Sequence, residues 1–432
     1  MSNTWQDIYK SKLTTAEKAV QLIKSNNRVV SAHAVGEPKA ISRAIVKNAA
    51  AYKNVEIFHL VTMGEQPFTN PEYKDNFRNN GFFLSAGTKA AVASGQGDFS
   101  PGFFHEIPKF LRTTLPPDVL IVQVSPPDEH GYCSTGVSSD FTIPAARIAP
   151  VVLVQVNKFM PRTFGDTFIH VKDMTAIVEC DEPLAELPQG VLSETEIKIG
   201  KNVASLVKDG DCLQLGIGGI PDAVLASLTD KNDLGLHTEM FADGTVNMLL
   251  AGNINNKRKN FHPGKSVATF LMGTRKLYDY VDNNPTLELL PVDYVNHPAI
   301  ACKNDNLVAI NSCVQVDMMG QVVSDSIGLK QLSGVGGQVD FVRAAAMSNG
   351  GRSVMAMAST TKGISKIVPL IDEGAAVTTS RFDVDYVVTE IGVAALKGKT
   401  LKERARALIN ITHPDHRAAL IAAYETRFSQ KY

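Results

Sequence analysis

A strand–turn–helix pattern that recurs along the chain restricts the fold more than any other feature. Arg28-Val29-Val30-Ser31-Ala32-His33-Ala34 reads as a buried strand. Val35-Gly36-Glu37-Pro38 breaks it, and an amphipathic helix is expected over 39–51. The pattern returns at Cys212-Leu213-Gln214-Leu215, followed by Gly216-Ile217-Gly218-Gly219-Ile220-Pro221 and a helix expected from near Asp222. Gly36-Glu37-Pro38-Lys39-Ala40-Ile41 aligns with Gly219-Ile220-Pro221-Asp222-Ala223-Val224, and residues 135–141 align with 333–341, which carry two extra residues. Each match is weak alone, but they keep one order, as a duplicated unit would. Leu120-Ile121-Val122-Gln123-Val124 and Val151-Val152-Leu153-Val154-Gln155-Val156 are nearly continuous apolar runs, the mark of strands covered on both faces. The expected class is therefore α/β, with two tandem domains of similar open α/β topology.

The 432 residues suffice for two cores of ordinary size. Residues 181–190 are polar and punctuated by prolines, so the domains are expected at 1–190 and 191–432. Near the start, residues 4–26 carry apolar positions at helical spacing, with a capping box at Thr14-Thr15-Ala16-Glu17.

Lys plus Arg (43) and Asp plus Glu (44) nearly cancel, so no global field draws in nucleic acid or an anionic membrane. An anionic ligand must be held locally. The cysteines Cys133, Cys180, Cys212, Cys302 and Cys313 are scattered and form no C-x-x-C pair, which fits a reducing compartment. No signal-peptide pattern or long apolar run is visible, and the expected location is cytoplasmic. The histidines show no metal-binding spacing, so no metal is expected. A dinucleotide fingerprint would need glycine at 221, where Pro221 stands.

Glu239 interrupts the strand-like stretch Leu236-His237-Thr238-Glu239-Met240-Phe241, just before a turn at Asp243-Gly244. Burying a carboxylate is costly, so it reads either as a solvated strand-end charge or as a nucleophile or general base. Two glycine-rich loops keep it company, at 216–219 and 334–337. Such loops are ordinary tight turns or, where they precede a helix, cradles of backbone amides for an anion. The first half has apolar Leu60 and Val61 where the second has Glu239, so only the second carries the candidate chemistry. His237 is expected to pack or hydrogen-bond.

Together, Gln214–Pro221, His237-Thr238-Glu239-Met240, Ala309-Ile310-Asn311-Ser312, the stretch 334–341 and Val387-Val388-Thr389-Glu390-Ile391-Gly392 resemble the class I coenzyme A transferases. The nearest likeness is to the acetyl-CoA hydrolase/transferase branch, which includes 4-hydroxybutyrate and butyryl-CoA:acetate CoA-transferases. That resemblance implies ping-pong transfer of CoA between short-chain carboxylates, with catalytic Glu239 carrying a glutamyl-CoA thioester. It assigns CoA and oxyanion binding to Gln214, Leu215, Gly216, Ile217, Gly218, Gly219, Gly334, Gly336 and Gly337, and the substrate pocket to Asn311 and Glu390. Glu390 would bias the charge of Glu239 or organise a loop. Lys362 or Lys366 would meet the CoA phosphates, with Lys362 preferred. The likeness further implies a homodimer that uses coenzyme A as substrate, with no separate cofactor. A hydrolase of the same fold and a non-catalytic CoA sensor remain alternatives, and an intact Glu239 argues against the sensor.

Overall fold

A computed structural model describes residues 4–432. The chain divides into two compact units: one runs through Pro188 and takes in Val267–Val295, and the other comprises Gln189–Ser266 and Asn296–Tyr432.

Among the described residues of the first unit, seven strands form one sheet: β1 (Arg28–Ser31), β2 (Val55–His59), β3 (Phe77–Gly81), β4 (Gly97–Phe99), β5 (Val119–Val124), β6 (Val151–Val156) and β7 (Ala176–Glu179). Their order is β7-β6-β5-β1-β2-β3-β4, and every neighbouring pair is parallel. Parallel strands need covering on both faces, which the runs at 120–124 and 151–156 satisfy by being buried almost throughout. Ile41 and Ile45 of the helix Lys39–Lys47 join Val29, Ile57, Ile121 and Leu153 in one core cluster.

The second unit repeats the scheme with β8 (Cys212–Leu215), β9 (Gly235–Leu236), β10 (Leu307–Ser312), β11 (Arg352–Ala356), β12 (Tyr386–Val388) and β13 (Val393–Ala395). Their order is β9-β8-β10-β11-β12-β13, parallel except for the last pair. The run β2-β1-β5-β6-β7 thus has its counterpart in β9-β8-β10-β11-β12, and the recurrence read from the sequence is a recurrence of topology. Open α/β sheets bind ligands beyond the carboxyl ends of the strands, where the winding reverses. In the second unit that point lies between β8 and β10, whose ends carry Gln214 and Asn311.

Three expectations are corrected. A single cut at 190 does not describe the units, because Val267–Val295 returns to the first: Leu287–Leu289 pairs in parallel with Phe164–Gly165. A Cβ on Gly165 would overlap the Leu289 backbone, so glycine permits that close approach. Residues 4–26 are not one continuous helix: Trp5–Lys12 and Ala16–Ala19, the latter continued by a 3-10 turn over Val20–Leu22, are separated where Leu13 turns extended and bridges Ile177. The helix expected from Asp222 starts earlier, at Gly219, because Gly218 takes φ of 105° and turns the chain there.

Candidate active site

Glu239 lies in a bend between β9 and a second short strand, Met240–Phe241. It is only partly exposed. The segment leading to it is anchored to β8 on one side: Gly235 and His237 donate their amides to Asp211 and Leu213. Thr238 takes over where the strand ends, its hydroxyl donating to the Leu215 carbonyl (2.9 Å) and accepting from the Leu215 amide (3.3 Å). That side chain couples the glycine loop after β8 to the segment that presents Glu239.

The carboxylate is held by a residue that sequence reasoning did not single out. Asn296 Nδ2 donates to Glu239 Oε2 at 2.7 Å, from a fully buried side chain. Gly337 lies against the same pair, and a Cβ there would overlap both Glu239 Oε2 and Asn296 Nδ2. Gly337 caps the helix Gln338–Met347. A carboxylate at a helix N-terminus is stabilised in its ionised form, by roughly 0.3–1 kcal/mol. Asn296 stands 57 residues from Glu239 in the chain. Its only local signal, Asn296-His297-Pro298, reads as the turn that starts the helix Pro298–Ala301.

Gln214 and Asn311 face each other across β8 and β10 as a reciprocal amide pair. Asn311 Nδ2 donates to Gln214 Oε1 at 3.0 Å, and Gln214 Nε2 donates back at 3.4 Å. Gln338 Nε2 donates to the Ser312 carbonyl, tying the second glycine loop to the end of β10. Gln214, Leu215, Glu239, Asn311 and Gly337 therefore belong to one bonded neighbourhood. Beside it, Gly216 and Gly218 have open space where a side chain would stand, and Ile217 is half exposed. Gly219 is different: it is the first residue of the helix Gly219–Ala226, and a Cβ there would overlap Glu196. In the second loop Gly334 is buried and Gly336 takes φ of 55°.

Glu390 and Lys362 belong to a neighbouring arrangement. The Glu390 carboxylate accepts from the backbone amide (2.8 Å) and the hydroxyl of Ser359. Its observed partner is thus a loop. That loop leads into the hairpin Thr360–Thr361 and Ile364–Ser365, whose turn residues Lys362 and Gly363 both have positive φ. Lys362 and Lys366 border a cavity of about 500 Å³, together with Val314, Gln315, Ile327 and Ile364. None of the residues grouped around Glu239 lines it. Val314 nevertheless follows closely on β10, which ends at Ser312.

His237 is buried and packs between Phe261 and Phe341, with ring centroids 6.4 and 6.3 Å away. The thiols nearest in the sheet are poor rivals to Glu239. Burial pushes Cys212 up to about 11 and Cys313 up to about 12, so both stay protonated at neutral pH.

A partly exposed carboxylate, one buried amide holding it, an open glycine loop at 216–218 and a second glycine loop packed against the carboxylate suit acyl transfer, and comparison with known proteins decides the lineage. Residues 2–188 match the acetyl-CoA hydrolase/transferase N-terminal domain and residues 273–424 its C-terminal domain. This chain belongs to the acetyl-CoA hydrolase/transferase family. Within that family, a 4-hydroxybutyrate coenzyme A transferase of Clostridium kluyveri is 57% identical, over 98% of this chain and 100% of its own length. The crystal structure of a 4-hydroxybutyrate CoA-transferase from Porphyromonas gingivalis superposes with a TM-score of 0.86 at 44% identity, covering 98% of this chain and all of that one. An acetyl-CoA hydrolase of Yarrowia lipolytica is more distant, 30% identical over 70% of this chain and 55% of its own.

Proposed function

We propose that this member of the family is an acyl-CoA:carboxylate CoA-transferase for short acyl groups of the acetate, butyrate and 4-hydroxybutyrate class. The observation that carries the reading is the Glu239 carboxylate, held by Asn296 against Gly337 at the start of a helix. Similarity to named transferases over the full chain supports the substrate class.

The reaction is ping-pong. A Glu239 carboxylate oxygen attacks the thioester carbonyl, the tetrahedral oxyanion collapses, and CoA leaves as thiolate, giving an acyl-glutamyl anhydride. The thiolate then attacks the glutamyl carbonyl carbon, which releases the first carboxylate and leaves glutamyl-CoA. An incoming carboxylate reverses the sequence. Both intermediates are high-energy acyl species, so the thioester's free energy is conserved, whereas a serine ester would dissipate it. Backbone amides of the loops at 216–219 and 334–337 serve the developing oxyanions. Lys362, on its hairpin, meets the CoA phosphates, and Asn311 borders the acyl group. Coenzyme A enters as substrate, and no further cofactor takes part.

On this reading the enzyme works in the cytoplasm as a homodimer, which light scattering checks. Among the described residues no helix is long and apolar enough to cross a membrane. All five cysteines are free, in keeping with a reducing compartment.

Incubation with acyl-CoA in the absence of an acceptor is the decisive experiment. Peptide mass spectrometry is expected to find CoA on the peptide containing Glu239, and added acetate to discharge it as acetyl-CoA. Loss of the adduct to water with acetate making no difference would identify a hydrolase instead. Tight CoA binding with no adduct at all would identify a sensor.

A further inference from the structure

The strand that leads to Glu239 is an edge strand, and its outer side is closed by side chains. In β9, Gly235 and the following His237 bond inward to β8, so the backbone groups of Leu236 face outward. Both find partners on the loop after Ile254. Asn256 Oδ1 accepts from the Leu236 amide at 2.8 Å, and Lys259 Nζ donates to the Leu236 carbonyl at 2.8 Å.

The loop is itself fixed in shape. Lys259 Nζ also donates to the Lys265 carbonyl (2.7 Å), Asn256 Nδ2 donates to Ser266 Oγ (3.0 Å), and the Gly264 amide donates to the Asn256 carbonyl (3.0 Å). Asn256 adopts φ of 57°, a left-handed conformation that asparagine tolerates. Lys259 is only 7% exposed, and its stem crosses Gly235 so closely that a Cβ there would come within 2.5 Å of the Lys259 Cγ.

Burying an ammonium group is costly, and an apolar residue of similar length would fill the same slot without that cost. What the ammonium adds is directional: a charge-assisted grip that ties the Leu236 carbonyl, three residues before Glu239, to the Lys265 carbonyl of the loop. We propose that Lys259 is a positioning residue for the transfer reaction, gripping Leu236 from outside β9 and so fixing where the Glu239 carboxylate is presented. Asn256 completes the grip from the amide side. The inference rests on Glu239 being the nucleophile.

The test is Lys259→Met, assayed beside Glu239→Ala, with circular dichroism and thermal melting on both. Lys259→Met is expected to lower kcat about 10- to 100-fold while the KM for acyl-CoA stays within about threefold, as a displaced nucleophile on an intact CoA site would. Single-turnover loading of CoA onto Glu239 should slow by the same factor. Should Lys259→Met fail to fold, Gly235→Ala crowds the lysine stem while leaving its charge, and the same kcat loss is expected. A folded Lys259→Met or Gly235→Ala enzyme with kcat within about threefold of wild type would overturn the proposal. So would a loss confined to KM. If Lys259→Met retains full kcat while Glu239→Ala is dead, the grip is refuted and the nucleophile stands. If Glu239→Ala still transfers CoA, the nucleophile is wrong and this inference falls with it.

Discussion

The turn after β1 and the turn after β8 occupy the same place in two copies of one topology, yet one is filled and the other open. In the first unit, a Cβ on Gly36 would come within 3.0 Å of the His33 carbonyl and 3.3 Å of Ser138. In the second, Gly216 and Gly218 have nothing within 4 Å of that position. The acidic groups differ in the same way. Glu37 is buried, accepting from the Gly64 amide (3.0 Å) and the Ser42 hydroxyl (3.2 Å). Burial pushes its carboxyl above the usual glutamate range. Glu239 keeps a partly exposed carboxylate beside an open loop. A duplicated scaffold supplies the same strand ends twice; packing decides which end is left accessible for chemistry.

Five substitutions try to break that contrast. Glu239→Ala should have the largest effect, a fall in transfer rate of at least about a thousandfold in a protein whose circular dichroism is unchanged. Glu239→Asp should also be severely impaired, since shortening the side chain withdraws the carboxylate from its seat on Gly337. Near wild-type turnover in a folded Glu239→Ala enzyme would remove the functional half of the contrast.

Gly337→Ala comes next. Its φ of −96° suits alanine, so the backbone is not strained, but the methyl group displaces the Glu239 carboxylate. A shift of about 1 Å at a reacting atom costs on the order of 100-fold, and kcat is the quantity to measure. Unchanged kcat would mean that the carboxylate does not react from this position.

Gly216→Ala sharpens the comparison of the two turns. The added methyl group enters open space, so stability should stay within about 0.5 kcal/mol of wild type. Acyl-CoA steady-state kinetics should show a raised KM if, as proposed, the substrate approaches through that space. A KM equal to wild type would make the open loop incidental.

Glu37→Gln should have the smallest effect, with transfer activity within about threefold of wild type, because the group is sealed in the first unit. The pH dependence has a definite sign. With its folded pKa raised by burial, Glu37 holds a proton more tightly in the native than in the unfolded chain. Its stabilising contribution is complete below the ordinary glutamate value and is lost as pH rises through the folded pKa. Melting temperatures of wild type and Glu37→Gln compared at pH 5 and pH 8 should therefore shift in favour of the variant at the higher pH. A shift the other way would show that Glu37 is held ionised.

Much of this was legible in the sequence because it rests on local patterns. Apolar runs at 120–124 and 151–156 announce covered parallel strands, and the two strand–glycine–helix stretches announce the repeat. Glu239 was visible because a carboxylate interrupts a strand-like stretch between glycine loops. The ties that hold it were not: Asn296 looks like a turn residue, and Lys259 like one more cation in Asn256-Lys257-Arg258-Lys259. Glu390 was read as a partner for Glu239 or a loop anchor, and its observed bonds go to Ser359.

By itself, the sequence determined the elements, their duplication and the candidate for the reactive group, since periodicity, glycine turns and a misplaced charge act over a few residues. Only the tertiary structure decided which side chains hold that group, where Val267–Val295 belongs, and which of two equivalent turns is open. These depend on residues far apart in the chain meeting at hydrogen-bond distance, and a one-dimensional pattern carries no record of such meetings.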